Sequence, residues 1–382
     1  MLLPSDKPAL GLLCLSNSWG GLEINTVKLA GWLRERGWPV TVFTLAGSPI
    51  QRQAQARHLP AETLTNPWKA VDVPAARRLA RQLRQQGTRV LIVTQNRDLG
   101  LAVLAKSLFL PGLRLIYQQH MQLGLAKRGL VHTLRYRAVD AWLAPLPWLA
   151  RQVREKTRMD PPCVHVVPLG IELERFVNPG LDKAEAREQL SLPPAPRLLG
   201  LIGRFDDGKG QYFVVEAFDQ LRRELPDQDL HLVLVGESTK NQRNASAYRE
   251  SVLALIRERG LEQQVHVREF TDRPEVFYRA IDVFVMASTN ETYGMVTIEA
   301  MAAGLPVLAT RAGGTIEIVE EGRTGLLYPP GDHAALVAAL KTVVLDEHQA
   351  GQLGAAAQQE AVRQYSHHRQ CELTEAVIFE LW

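Results

Sequence analysis

Ala287-Ser288-Thr289-Asn290-Glu291-Thr292-Tyr293-Gly294-Met295-Val296-Thr297-Ile298-Glu299-Ala300-Met301 moves from an apolar run through a polar loop into a helical pattern. Val283–Ala287 reads as a buried strand, and the helix starts near Gly294. Ligands of open α/β sheets bind beyond the carboxyl ends of the strands. The N–H groups of Gly294, Met295 and Val296 would face that crevice without helical partners. Together with the helix dipole they make an anion site suited to a diphosphate.

Two carboxylates bracket that helix start. Glu291 lies in the loop before it, and Glu299 lies more than one turn inside it. Carboxylates accept hydrogen bonds from vicinal hydroxyls and repel phosphate. A diphosphate flanked by two polyols, one a ribose and one a hexose, describes a sugar nucleotide. Each acid, taken alone, also fits a solvated surface charge. A second stretch, Gly203-Arg204-Phe205-Asp206-Asp207-Gly208-Lys209-Gly210, follows another strand. Arg204 and Lys209 would there neutralise a departing diphosphate.

Outward from these stretches the chain alternates between short apolar runs and helical segments. Leu10–Leu15, Pro39–Leu45, Arg89–Thr94 and Arg114–Gln118 read as strands, with Ala141–Pro145 and Val164–Pro168. Helices are expected near Glu23–Arg36 and Leu99–Leu108. Residues Glu174–Pro196 read as a polar break. The alternation then resumes with strands at Arg197–Gly203, His231–Gly236, Val265–Val267, Val283–Ala287 and Pro306–Thr310. Helices are expected at Gln211–Leu225, Ala245–Arg259 and Thr297–Ala303, and at His333–Val344 behind an Asp332 cap. This predicts an α/β protein of two doubly wound parallel sheets in tandem. The expected domains are 1–175, joined by the amphipathic segment 366–382, and 176–365.

These stretches, with Gly304-Leu305-Pro306-Val307, Gly313-Gly314 and Gly325-Leu326-Leu327, resemble the glycosyltransferases of family 4. Those are retaining enzymes of the GT-B fold, two Rossmann-like domains facing a central cleft, with an E-x7-E motif that Glu291 and Glu299 reproduce. Val167-Pro168-Leu169-Gly170-Ile171-Glu172 resembles the family's interdomain hinge. The resemblance implies that Arg204 and Lys209 bind the donor diphosphate, beside Gly203. It implies that Glu291 holds the transferred sugar and that Glu299 holds the ribose. It also implies that Gly294, Met295 and Val296 form the phosphate-binding helix start. Gly20 and Gly21 then stand in the first loop, where a missing Cβ lets backbone approach a ligand. His120 stands where the family has a histidine near the reacting centre, and Phe270 begins the segment that contacts the base. Two departures are Thr292-Tyr293, in place of a small residue and Phe, and Pro145-Leu146-Pro147, which lacks a serine.

The implied activity moves a hexose from a UDP-, GDP- or ADP-sugar to a glycan or glycolipid acceptor in cell-surface polysaccharide or lipopolysaccharide synthesis. No cofactor or metal is expected beyond the co-substrate. A sugar-nucleotide epimerase or a silent nucleotide-sugar sensor are the alternatives. The chain of 382 residues is long enough for two domains. A net charge of +3 gives no field that points to nucleic acid. Cys14, Cys163 and Cys371 are too scattered for a disulfide framework or zinc site and read as buried thiols. The opening residues read as no signal peptide, so the expected location is cytoplasmic. The basic segment Lys127–Arg137 fits either a solvated helix face or contact with anionic lipid. Asp227-Gln228-Asp229 reads as a solvated turn, and His367-His368 as a helix start.

Overall fold

The computed structural model describes residues 7–65, 72–236, 243–269 and 272–382. It divides into two compact units, Met1–Gly170 with His367–Trp382 and Ile171–Ser366. The strands of the first unit are β1 (Ala9–Cys14), β2 (Val40–Leu45), β3 (Ala61–Leu64), β4 (Thr88–Val93), β5 (Arg114–Gln118), β6 (Ala141–Ala144) and β7 (Val164–Val166). Those of the second are β8 (Arg197–Ile202), β9 (Leu230–Val235), β10 (Val265–Arg268), β11 (Val283–Met286), β12 (Val307–Thr310) and β13 (Leu326–Tyr328). Every strand pairing is parallel. The sheet orders are β3-β2-β1-β4-β5-β6-β7 and β10-β9-β8-β11-β12-β13.

The strand sequences explain this choice. β2, Val-Thr-Val-Phe-Thr-Leu, is buried at every position. A strand buried on both faces needs helices on both sides, which is the environment of a parallel sheet. In the first unit Leu12, Val42, Ile92 and Ile116 pack with Leu29 and Leu33 of the helix Gly21–Glu35. In the second, Leu199, Leu232, Val283 and Leu308 pack with Phe218, Leu221 and Leu340. Burying each such side chain is worth about 1.5–3 kcal/mol. The last helix, His367–Leu381, puts Cys371, Val377 and Ile378 into the first unit's core. Its Glu375 takes Arg36 at 2.7 Å and the Trp38 indole N–H at 2.7 Å.

Several elements differ from the sequence reading. The polar break holds a helix, Lys183–Gln189, opened by a capping box between Asp182 and Glu185. The unread stretch between β2 and β4 holds β3 and the helices Pro49–Ala56 and Val73–Gln85. The domain division falls at Gly170/Ile171, because the Ile171 N–H donates to Tyr365 O at 2.8 Å and Phe176 packs on Tyr278. Pro147 occupies the first turn of the helix Pro147–Lys156, where its missing N–H costs nothing. All three cysteines are free; Cys163 is only half-buried, while burial pushes the Cys14 and Cys371 thiols up to about 12.

Candidate functional site

In the second sheet β8 and β11 are neighbours, and from them the strand order runs outward in both directions. Loops that leave such a switch point diverge and open a crevice. The loop after β8 carries Gly203, Arg204 and Lys209; the loop after β11 carries Glu291 and ends at Gly294. The two loops are tied together. The Thr289 N–H donates to Gly208 O at 3.1 Å, and Lys209 Nζ donates to Glu291 Oε2 at 2.8 Å. Gly203, Lys209, Ser288 and Val296 line one small cavity.

Two glycines make the loop geometry attainable. Gly210 has φ +76, and a Cβ there would lie 2.6 Å from Ala287 O. Gly313 has φ +58, and a Cβ there would lie 2.1 Å from Glu291 O. The next residue, Gly314, donates its N–H to that same oxygen at 2.9 Å. The Gly313-Gly314 pair therefore props the Glu291 loop from below.

Gly294, at φ +100, starts the helix Met295–Ala302. The Thr297 N–H already donates to Gly294 O at 3.0 Å, whereas the N–H groups of Met295 and Val296 precede the first helical hydrogen bond and lie past the end of β11. Glu299 projects from the same helix, half-buried. The phenol of Tyr278 donates to Glu299 Oε2 at 2.9 Å and also reaches Val296 O at 3.1 Å. Burial, reinforced by the Glu299 charge, pushes that phenol well above its ordinary value, so it stays a donor. Tyr278 comes from the helix Pro274–Ala280, 18 and 21 residues before the Val296 and Glu299 that it bonds. No local signal marks it. Gln211 is a second such residue; its amide fixes Gly203 O at 3.3 Å and Arg204 O at 2.8 Å. The Arg204 side chain is exposed at the mouth of the loop and forms no ion pair among the described residues. Tyr293 is buried, at 4% exposure, so its hydroxyl works within the fold. Phe270 lies outside the described residues.

The first unit holds the other sequence-derived residues at carboxyl ends of its own strands. Gly20 precedes the helix Gly21–Glu35 just after β1, itself at the β1/β4 switch point. Gly20 has extended φ, and a Cβ at Gly21 would meet nothing within 4 Å. The fold itself demands no glycine at either position. Beside them the Ser16 hydroxyl donates to buried Glu23 at 2.6 Å, a pairing the sequence reading missed. His120 follows β5 and is buried, with no hydrogen-bond partner for Nε2 among the described residues. Burial alone pushes its imidazole down to about 4, so it is neutral at physiological pH.

A larger cavity, about 280 Å³, opens at the amino ends of β8 and β12. Two of its cations are already paired, Lys183 with Asp282 and Arg197 with Glu347. It sits at the wrong end of the strands for a ligand of an open sheet.

Residues 182–360 match the family model Glycosyl transferases group 1, and residues 19–175 match Glycosyltransferase Family 4. A D-inositol 3-phosphate glycosyltransferase of Corynebacterium jeikeium is 35% identical over 190 residues, covering 48% of this chain and 44% of the relative. The chain spans about half the length of the curated relatives it matches. The fold is similar to Anabaena Alr3699/HepE, solved in complex with UDP, with TM-score 0.85, 21% identity and coverage of 97% and 100% of the two chains. A glycosyltransferase of Rickettsia africae gives TM-score 0.87 at 17% identity over 98% and 99%.

Proposed function

We propose that this chain, which belongs to the glycosyltransferases of family 4, moves a hexose from a nucleotide-diphosphate sugar to a hydroxyl of a glycan or glycolipid, with retention at the anomeric carbon. The observation that carries this reading is the pairing of Lys209 with Glu291 at 2.8 Å beside the open helix start at Gly294. A cation for phosphate and a carboxylate for sugar hydroxyls stand side by side, as the two halves of a sugar nucleotide require. We favour a uracil base, since the Anabaena neighbour was solved with UDP. We assign the acceptor to cell-surface polysaccharide or lipopolysaccharide made in the cytoplasm.

On this reading the diphosphate lies on the N–H groups of Gly294, Met295 and Val296, with Lys209 and Arg204 against its oxygens. Glu299, steadied by Tyr278, accepts from the ribose hydroxyls, and Glu291 accepts from the hexose. The bond from the anomeric carbon to the phosphate oxygen breaks, and its electron pair leaves with the diphosphate. The acceptor oxygen bonds to the anomeric carbon on the same face. Its proton passes to the departing phosphate oxygen. His120 is too weak a base for that proton at neutral pH; it offers a hydrogen bond to a substrate hydroxyl. We assign Gly20 and Gly21 to bare-backbone contact with ligand. Protein cations carry the charge work, so the reading includes no metal.

Transfer of radiolabelled glucose from UDP-glucose to an acceptor extract tests this directly. Lys209→Ala and Glu291→Ala should each lower kcat by on the order of a hundredfold or more, as loss of one charge-stabilising group does. Wild-type activity in either variant refutes the role given to that residue. Conversion of the donor without acceptor refutes transfer.

A further inference from the structure

The short helix Leu130–Arg137 in the first unit is turned inside out. Thr133 and Tyr136 face the protein and are buried. Leu130, Val131 and Leu134 face outward, at 77%, 78% and 71% exposure. Leu130, Leu134 and Arg137 stand at i, i+4 and i+7, so they share one stripe. The loop leading into the helix continues the pattern with Met121 at 65% and Leu125 at 78%. A helix on a protein surface normally buries its apolar stripe. Five large aliphatic side chains exposed within fourteen residues mark a surface meant to be covered.

Charge says what covers it. From Leu99 to Arg154 the chain has eight Lys and Arg residues and one acid. That acid, Asp140, is already paired with Lys106 at 2.5 Å and Arg114 at 3.7 Å. Lys127, Arg128 and Arg137 flank the apolar tips and enter no salt bridge among the described residues, while Arg135 turns inward to Asn96 and the Tyr136 ring. Arg128 is held by the Glu155 backbone carbonyl, and Lys127 N–H by Lys156 O at 2.7 Å. Lys156 Nζ in turn clamps Leu123 O at 2.7 Å. The segment is thus anchored to the end of the helix Pro147–Lys156, and its charge stays uncompensated. Aliphatic tips ringed by unpaired cations match the interface of an anionic bilayer, where apolar groups enter the acyl boundary and Lys and Arg meet lipid phosphates. No helix among the described residues is long and apolar enough to cross a membrane.

We propose that this face, Met121–Arg137, docks the protein onto an anionic lipid surface. Docking does not depend on the transfer reaction. It does have a consequence for it: Met121 directly follows His120, so the docked segment begins beside the group assigned to the substrate hydroxyl.

The test is co-sedimentation of the full chain with vesicles, one set of phosphatidylcholine alone and one with a third of it replaced by phosphatidylglycerol. The chain should partition onto the anionic vesicles at least tenfold more strongly, since each base near such a surface contributes roughly fivefold. Leu130→Ser with Leu134→Ser should lower that partition by on the order of tenfold, from lost apolar insertion. Lys127→Gln with Arg128→Gln and Arg137→Gln should lower it and flatten its salt dependence. Because Leu130 and Leu134 are exposed, the leucine variant should keep the wild-type melting temperature and circular dichroism, which separates lost docking from lost folding; the charge variant, which also removes the Arg128 contact to Glu155, is read only where its circular dichroism is unchanged. Equal binding to the two vesicle sets overturns the proposal, as does undiminished binding by the leucine variant. A dimer in light scattering that the leucine variant abolishes also overturns it, because a second copy then covers the face.

Discussion

Replacing Gly313 by alanine isolates the support beneath Glu291. The backbone there has φ +58, and a Cβ would stand 2.1 Å from Glu291 O. Even a close C–H···O contact keeps about 3.3 Å, so the Glu291 carbonyl must retreat by about 1 Å. The left-handed backbone adds roughly 1–2 kcal/mol of strain for any residue with a Cβ. Gly322 supplies the control: it has φ +72, yet a Cβ there meets nothing within 4 Å. Both variants pay the strain, and each should melt a few degrees lower, at about 2–4 °C per kcal/mol for a unit of this size. Only Gly313→Ala moves Glu291. A misplacement of about 1 Å at a reacting centre costs on the order of a hundredfold, and that loss should appear in kcat/KM for transfer from UDP-glucose. Calorimetric binding of UDP, which does not use Glu291 on this reading, should be retained. Equal kcat/KM in the Gly313 and Gly322 variants would refute the argument.

Tyr278→Phe removes the donor that steadies Glu299 at 2.9 Å. A hydrogen bond to a charged group is worth about 1.5–3 kcal/mol, so KM for the donor should rise roughly tenfold or more with kcat little changed; an unchanged KM rules out this support. His120 is pushed down to about 4 by burial, whereas an unfolded histidine titrates near 6.5. The unfolded chain binds more protons in that window, so stability is full above about pH 6.5 and falls by on the order of 3 kcal/mol as pH drops through 4. Asp98, raised to about 6 by burial, works in the opposite sense over part of the same range. The measurement is therefore the difference in urea midpoint between wild type and His120→Gln at neutral and acid pH, and a difference that does not change with pH contradicts it. Transfer should survive treatment with EDTA; a loss restored by magnesium or manganese would put a metal in the reaction.

The two sheets were legible because their strands are short apolar runs interrupted by turns and helices, a pattern that parallel packing imposes on sequence. That the loops after β8 and β11 open on one crevice was legible for a related reason. Lys209 and Glu291 each lie a few residues past a strand end, so the β8/β11 adjacency brings them together. Tyr278 and Gln211 were not legible, because their roles come from tertiary packing and leave no local spacing. The helix Lys183–Gln189 was hidden by its polarity, although the Asp182 and Glu185 cap was there to be read. The segment Leu130–Arg137 shows the reverse failure. Its basic character was plain, but only the fold tells which face looks out.

The Lys209–Glu291 ion pair takes up one of the two bases of the crevice, and the carboxylate of Glu299 offsets the charge of the other, Arg204. Long-range attraction for a diphosphate is therefore weak, and capture rates should vary little with ionic strength. On the proposed reading, a loaded donor brings hydroxyls that satisfy Glu291 once Lys209 turns to the phosphate. A spent nucleotide brings none, and its terminal phosphate faces a bare carboxylate. If that reading holds, the same pair biases the site toward ejecting its by-product.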